Sequence, residues 1–182
     1  CGGIISESLV QILAAEGINI PPSVVQRGID SYMLHTDVGS TRIDTPLVEK
    51  RIAAVFRGAG PSGLVETNWS SFDGFLLDLA VSRGAHLIRS LVNGVKVGSD
   101  RPRLSCSDGL KKDYDLVVVA TGVTSNFFEL IQNLEIGYRP PRTVKTFICE
   151  FHLGREKIQK HLGTSMHVFL LDIPGLEFAA VI

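Results

Sequence analysis

No apolar run in the 182 residues reaches the ~18 positions that a membrane-spanning helix needs. The N-terminus also lacks the charged stretch followed by an apolar one that marks a secretory signal. Cysteine is scarce. Cys1, Cys106 and Cys149 are odd in number and far apart, which fits neither a zinc site nor a disulfide framework and points to a reducing, cytoplasmic setting. The histidines His35, His86, His152, His161 and His167 show no metal-ligand spacing. An excess of one charge is missing too: 18 basic residues stand against 19 acidic ones, with no basic patch, so nucleic acid is excluded as the main partner. The hydrolase elbow is absent, because Ser62 sits in Gly60-Pro61-Ser62-Gly63 rather than in G-x-S-x-G. There is no repeat and no low-complexity segment. What is present is 45% hydrophobic residues, enough for a real core.

Gly58, Gly60 and Gly63 spell G-x-G-x-x-G after the apolar run Ile52–Phe56. In a dinucleotide fingerprint the helix opens at the glycines and aims its free N–H groups at a pyrophosphate. Here the capping pattern comes later. Ser70 reads as the N-cap and Asp73 as its reciprocal partner, with Phe72, Leu76 and Leu79 as one apolar stripe and Gly84 as the stop. This predicts a helix over Ser71–Arg83. The strand after it, His86–Arg89, is followed by no acid to hold a ribose. The glycines therefore read as a connection, with an NAD(P)-binding loop at Gly58–Gly63 as the alternative.

Periodicity and turn chemistry predict further helices over Ser6–Glu16, Asn126–Asn133 (capped by Ser125) and Arg155–Leu162. Strands are predicted over Ile29–His35, Thr41–Asp44, Arg51–Phe56, Val92–Val97, Arg103–Ser107, Thr143–Phe151, Met166–Leu171 and Glu177–Ile182. Asp115–Ala120 is the clearest buried strand, continuous in apolar and β-branched residues and leaving through Thr121-Gly122. The order predicts an α+β (mixed α/β) fold with a large mixed sheet. The chain starts on Cys1-Gly2-Gly3 and stops inside the apolar run Phe178–Ile182, which leads us to expect an internal segment of a longer protein.

Three pieces stand in one order: Cys1-Gly2-Gly3, then Ser71–Leu76 with Gly84-Ala85, then Tyr114–Ser125. Together they resemble FAD-dependent reductases of the geranylgeranyl reductase and FixC-like type. Two positions depart from that pattern: Trp69 stands where many relatives have arginine, and Thr121 where the hydroxylase branch has aspartate.

The resemblance implies a single compact segment over 1–182 that lacks the FAD fingerprint and the C-terminal part. Partial FAD-binding elements of the glutathione-reductase type would lie at about 71–134. The substrate-domain sheet would lie at about 18–63 and 138–182. It implies FAD as cofactor, with Cys1, Gly2, Gly3, Val92, Ala120, Thr121 and Gly122 near it. Cys1 is the one candidate for a reactive side chain. The implied substrate is an isoprenoid lipid or pigment with a reducible carbon–carbon double bond. The implied electron donor is NADPH or a reduced ferredoxin-like protein, and peripheral contact with a membrane is open. The segment alone is expected to be inactive. A non-enzymatic lipid- or protein-binding module is the remaining alternative.

Overall fold

The computed structural model describes residues 3–58, 70–97, 101–122, 125–134, 136–149, 151 and 153–182. The chain expected to form one compact segment packs as two units, one of Cys1–Ala85 with Ile148–Ile182, the other of His86–Phe147.

The first unit holds two sheets. In the smaller, β5 (Ile52–Val55) lies between β1 (Ile4–Ser6) and β2 (Val25–Ile29), antiparallel to both. Ile5, Val24, Val55 and Phe72 form its buried core, with Leu13, Phe75 and Leu76 packed alongside. Leu13 comes from α1 (Glu7–Ala15), whose Ser6 cap accepts from the Leu9 amide at 3.3 Å. Ile12, on the predicted stripe of α1, stays exposed. The aromatic residues come from α2 (Phe72–Ser82).

The cap of α2 is Ser71 rather than Ser70: its Oγ accepts from the Gly74 amide at 3.2 Å. Asp73 does not reach back. Arg57 Nε donates to it at 2.6 Å, because a full charge partner outcompetes a neutral amide. Gly60 and Gly63 lie outside the described residues; Gly58 has φ +107.

The larger sheet has the order β10-β9-β3-β4. β3 (Ser31–Thr36) and β4 (Gly39–Asp44) form a hairpin. β9 (Ser165–Leu170) runs parallel to β3, and β10 (Ala179–Val181) antiparallel to β9. The sheet is therefore mixed, as expected, with four strands. α4 (Arg155–Leu162) leads into β9. The predicted strand Thr143–Phe151 is irregular and exposed wherever it is described.

The second unit is built on a meander, β6 (Val92–Val97), β7 (Pro102–Cys106) and β8 (Lys111–Asp113). Arg103 grips Asp113 with two donors, the second at 2.7 Å. α3 (Phe127–Gln132) buries Ile131, and its Phe127 amide donates to Ser125 Oγ at 3.1 Å. His86–Arg89 forms no strand. Asp115–Ala120 is not a buried strand either: Leu116 is 77% and Val118 78% exposed. An isolated extended run cannot satisfy its own backbone groups, and no described strand pairs with this one.

Candidate functional site

The residues expected near a dinucleotide divide between the two units. Cys1 and Gly2 lie outside the described residues. Gly3 is buried in the first unit with φ +64, and its carbonyl accepts from the Val55 amide at 2.7 Å. A Cβ at Gly3 would run into the Val55 carbonyl oxygen. Packing of β5 alone therefore explains this glycine.

Val92, Ala120, Thr121 and Gly122 belong to the second unit. Val92 opens β6, half-buried and paired with Cys106. Ala120, Thr121 and Gly122 are exposed. Gly122 has φ +77, and no described residue comes within 4 Å of an added Cβ. Among the described residues nothing covers this backbone, and a residue without a side chain is what a close-approaching dinucleotide requires. The described geometry of Ala120–Gly122 leaves room for a close-approaching dinucleotide; Gly3 supplies no such argument.

On the larger sheet, alternation along the strands separates two faces. Ser31, Met33 and His35 of β3 share one with Ser165, His167 and Phe169 of β9 and with Ser40, Arg42 and Asp44 of β4. The opposite face carries Tyr32, Leu34, Met166, Val168, Leu170 and Ile43, with no charged residue.

At the base of the first face is a buried polar cluster that the sequence did not announce. Ser31 Oγ donates to Asp30 Oδ1 at 2.8 Å and lies 2.7 Å from Ser165 Oγ. Thr45 Oγ1 donates to the Asp30 carbonyl at 2.7 Å. Arg27 Nη2 donates to the Gly163 carbonyl at 2.6 Å, while Arg27 Nη1 is buried without a partner among the described residues. Burial pushes the Asp30 carboxyl up. Hydrogen bonds from Thr164 and Ser31, with the charges of Arg42 and Lys50, outweigh that and hold it below the usual carboxylate range. Burial pulls the Arg27 guanidinium down, against the opposing charge of Asp30. No sequence signal marks Ser31 and Ser165 as partners, because they meet through parallel pairing across 134 residues.

Among the described residues there is no cluster of metal-ligating side chains and no helix long and apolar enough to cross a membrane. Free Cys106 is half-buried and free Cys149 exposed.

This arrangement is a mixed α+β fold. One solved structure with that fold is 2,6-dihydroxypyridine-3-hydroxylase from Arthrobacter nicotinovorans, similar to this chain with a TM-score of 0.52 at 17% identity. The match covers 93% of this chain and 38% of the hydroxylase, and at that identity the likeness is one of fold. No protein-family model and no curated protein sequence matches the chain.

Proposed function

We propose that the chain is part of a FAD-dependent oxidoreductase that reduces a carbon–carbon double bond in a geranylgeranyl or other isoprenoid lipid or pigment. The observation that carries this reading is the uncharged face of the four-stranded sheet, where Tyr32, Leu34, Met166, Val168, Leu170 and Ile43 lie side by side. Such a face suits a polyprenyl chain, which gains by leaving water and needs no hydrogen-bond partner. In this reading the backbone of Ala120, Thr121 and Gly122 would approach the dinucleotide, and that of Val92 the adenine. Bound FAD would supply the hydride, and NADPH or a reduced ferredoxin-like protein would renew it. The part of the sheet is to orient the lipid and exclude water. A second reading, hydroxylation of an aromatic substrate, is favoured by the fold likeness to a dihydroxypyridine hydroxylase.

Product mass separates the two. The full polypeptide that carries this chain is loaded with FAD and offered a geranylgeranyl lipid under anaerobic reduction, or a dihydroxypyridine with oxygen and NADPH as reductant. A lipid heavier by two hydrogens supports the first reading. An aromatic product heavier by one oxygen selects the second. A flavin-loaded protein that does neither overturns both. Gly122→Val tests the cofactor assignment in the same polypeptide. The expected result is a folded protein stripped of flavin; a valine variant with its full flavin content removes Ala120–Gly122 from the site.

A further inference from the structure

Two histidines that no cofactor argument uses meet on the polar face of the four-stranded sheet. His35 on β3 pairs with Phe169 on β9, and Met33 with His167, so the two histidines are diagonal neighbours. His35 Nε2 lies 2.9 Å from His167 Nδ1. At the outer ends, His35 Nδ1 is 2.7 Å from Ser40 Oγ, and His167 Nε2 is 3.3 Å from the Leu162 carbonyl oxygen.

These partners fix the hydrogens. A carbonyl oxygen can only accept, so His167 donates from Nε2 and, when neutral, has a bare Nδ1. The bond between the rings then requires His35 to donate from Nε2. Neutral His35 is left with a bare Nδ1, which accepts from the Ser40 hydroxyl. All three donors point the same way, from Ser40 through both rings to Leu162.

One added proton leaves this chain whole. It enters at His35 Nδ1, and the Ser40 hydroxyl turns from donor to acceptor by rotating about its own bond. The Phe169 ring is stacked on His35 with centroids 4.5 Å apart and planes 13° apart. A second proton does not fit. Both facing nitrogens would then carry hydrogen, and the 2.9 Å contact would be lost.

Among the described residues no carboxylate is hydrogen-bonded to either ring. β4 contributes Arg42 and Asp44, already paired at 2.6 Å, with Asp30 3.7 Å from Arg42. β10 contributes uncharged Ala179 and Val181. α4 ends in Lys160, His161 and Leu162. Asp37, in the β3–β4 turn, accepts from the Asp172 amide.

We propose that Ser40, His35 and His167 form a binding site for a single proton, and that a second proton opens the His35–His167 link between β3 and β9. The proposal is independent of the flavin reading. Nitrogen-15 NMR of the whole chain tests it. Long-range correlations identify the tautomers, and scalar coupling across the N–H···N bond reports the contact. The expected result is hydrogen on Nε2 of both neutral rings, with a His35–His167 coupling that survives the first proton and vanishes with the second. Hydrogen on Nδ1 of either neutral ring, or absence of the coupling in the neutral chain, overturns the proposal. Amide exchange supplies a second measurement. Protection of β3 and β9 should drop with the second proton and not with the first; equal protection through both steps overturns the switch.

Discussion

The four-stranded sheet and the run Asp115–Ala120 are both rich in apolar residues, and they end in opposite states. β3 pairs on both sides, with six residue partners in β4 and six in β9. Leu116 and Val118 stand in solvent with no strand beside them among those described. The difference lies in what each sequence demands. β3 alternates, so neighbouring strands and one covering face satisfy it. Asp115–Ala120 is apolar on both faces and needs partners at both edges and cover on both sides. Apolarity thus records how much company a segment requires, and pairing shows how much of it is at hand.

The largest test removes a residue from the packed region. Ile29, at the end of β2, has no exposed surface. Ile29→Ala should cost about 2–5 kcal/mol, read by urea unfolding. A loss below ~1 kcal/mol would erase the contrast between the regions.

Next comes the buried polar base of the sheet. Asp30→Ala strips Ser31 of its acceptor and should cost about 1–3 kcal/mol. The pH dependence carries a sign. The carboxyl sits below its usual range in the folded chain, so its contribution is complete above that range and is lost as pH falls through the lowered value. The Asp30→Ala chain should therefore lose less stability on acidification than the parent, measured by unfolding at a series of pH values.

Smaller again is Gly122→Val. Its φ of +77 strains any branched residue by about 1–2 kcal/mol, although no described residue crowds it. Smallest is Val118→Ala, which should change stability of this chain by no more than about 0.5 kcal/mol. A loss of several kcal/mol at Val118 in thermal unfolding would mean that the run is covered after all.

Local chemistry made much of the fold readable. Ser125 caps the helix predicted for it, α1 and α4 form where helices were predicted, with Ser6 as the α1 cap and Gly154 and Gly163 flanking α4, and Asp108-Gly109 lies in the turn from β7 to β8. Each depends on residues a few positions apart. Where the partner is remote, the reading failed. Asp73 answers Arg57 instead of its own helix end, and Thr143–Phe151 has strand-like composition without a strand. The candidate site was legible only as backbone. Gly122 has a left-handed φ of +77, while Gly3 answers a packing need. Asp30, Ser31 and Ser165 carried no signal, since a buried polar cluster assembled by parallel strands leaves no spacing to read.

The pairing of β3 with β9 also bears on how the chain is made. The residues of the second unit, 86–147, emerge from the ribosome between the two strands of the first. The β3–β4 hairpin and the β6–β8 meander can form as soon as they appear, because their partners are local. The buried contact between Ser31 and Ser165 must wait for 134 further residues of synthesis. Until then β3 exposes an open edge, the kind of surface that recruits stray strands. Conditions that slow elongation through 86–147 should lengthen that exposure and raise the share of nascent chains held by holdase chaperones.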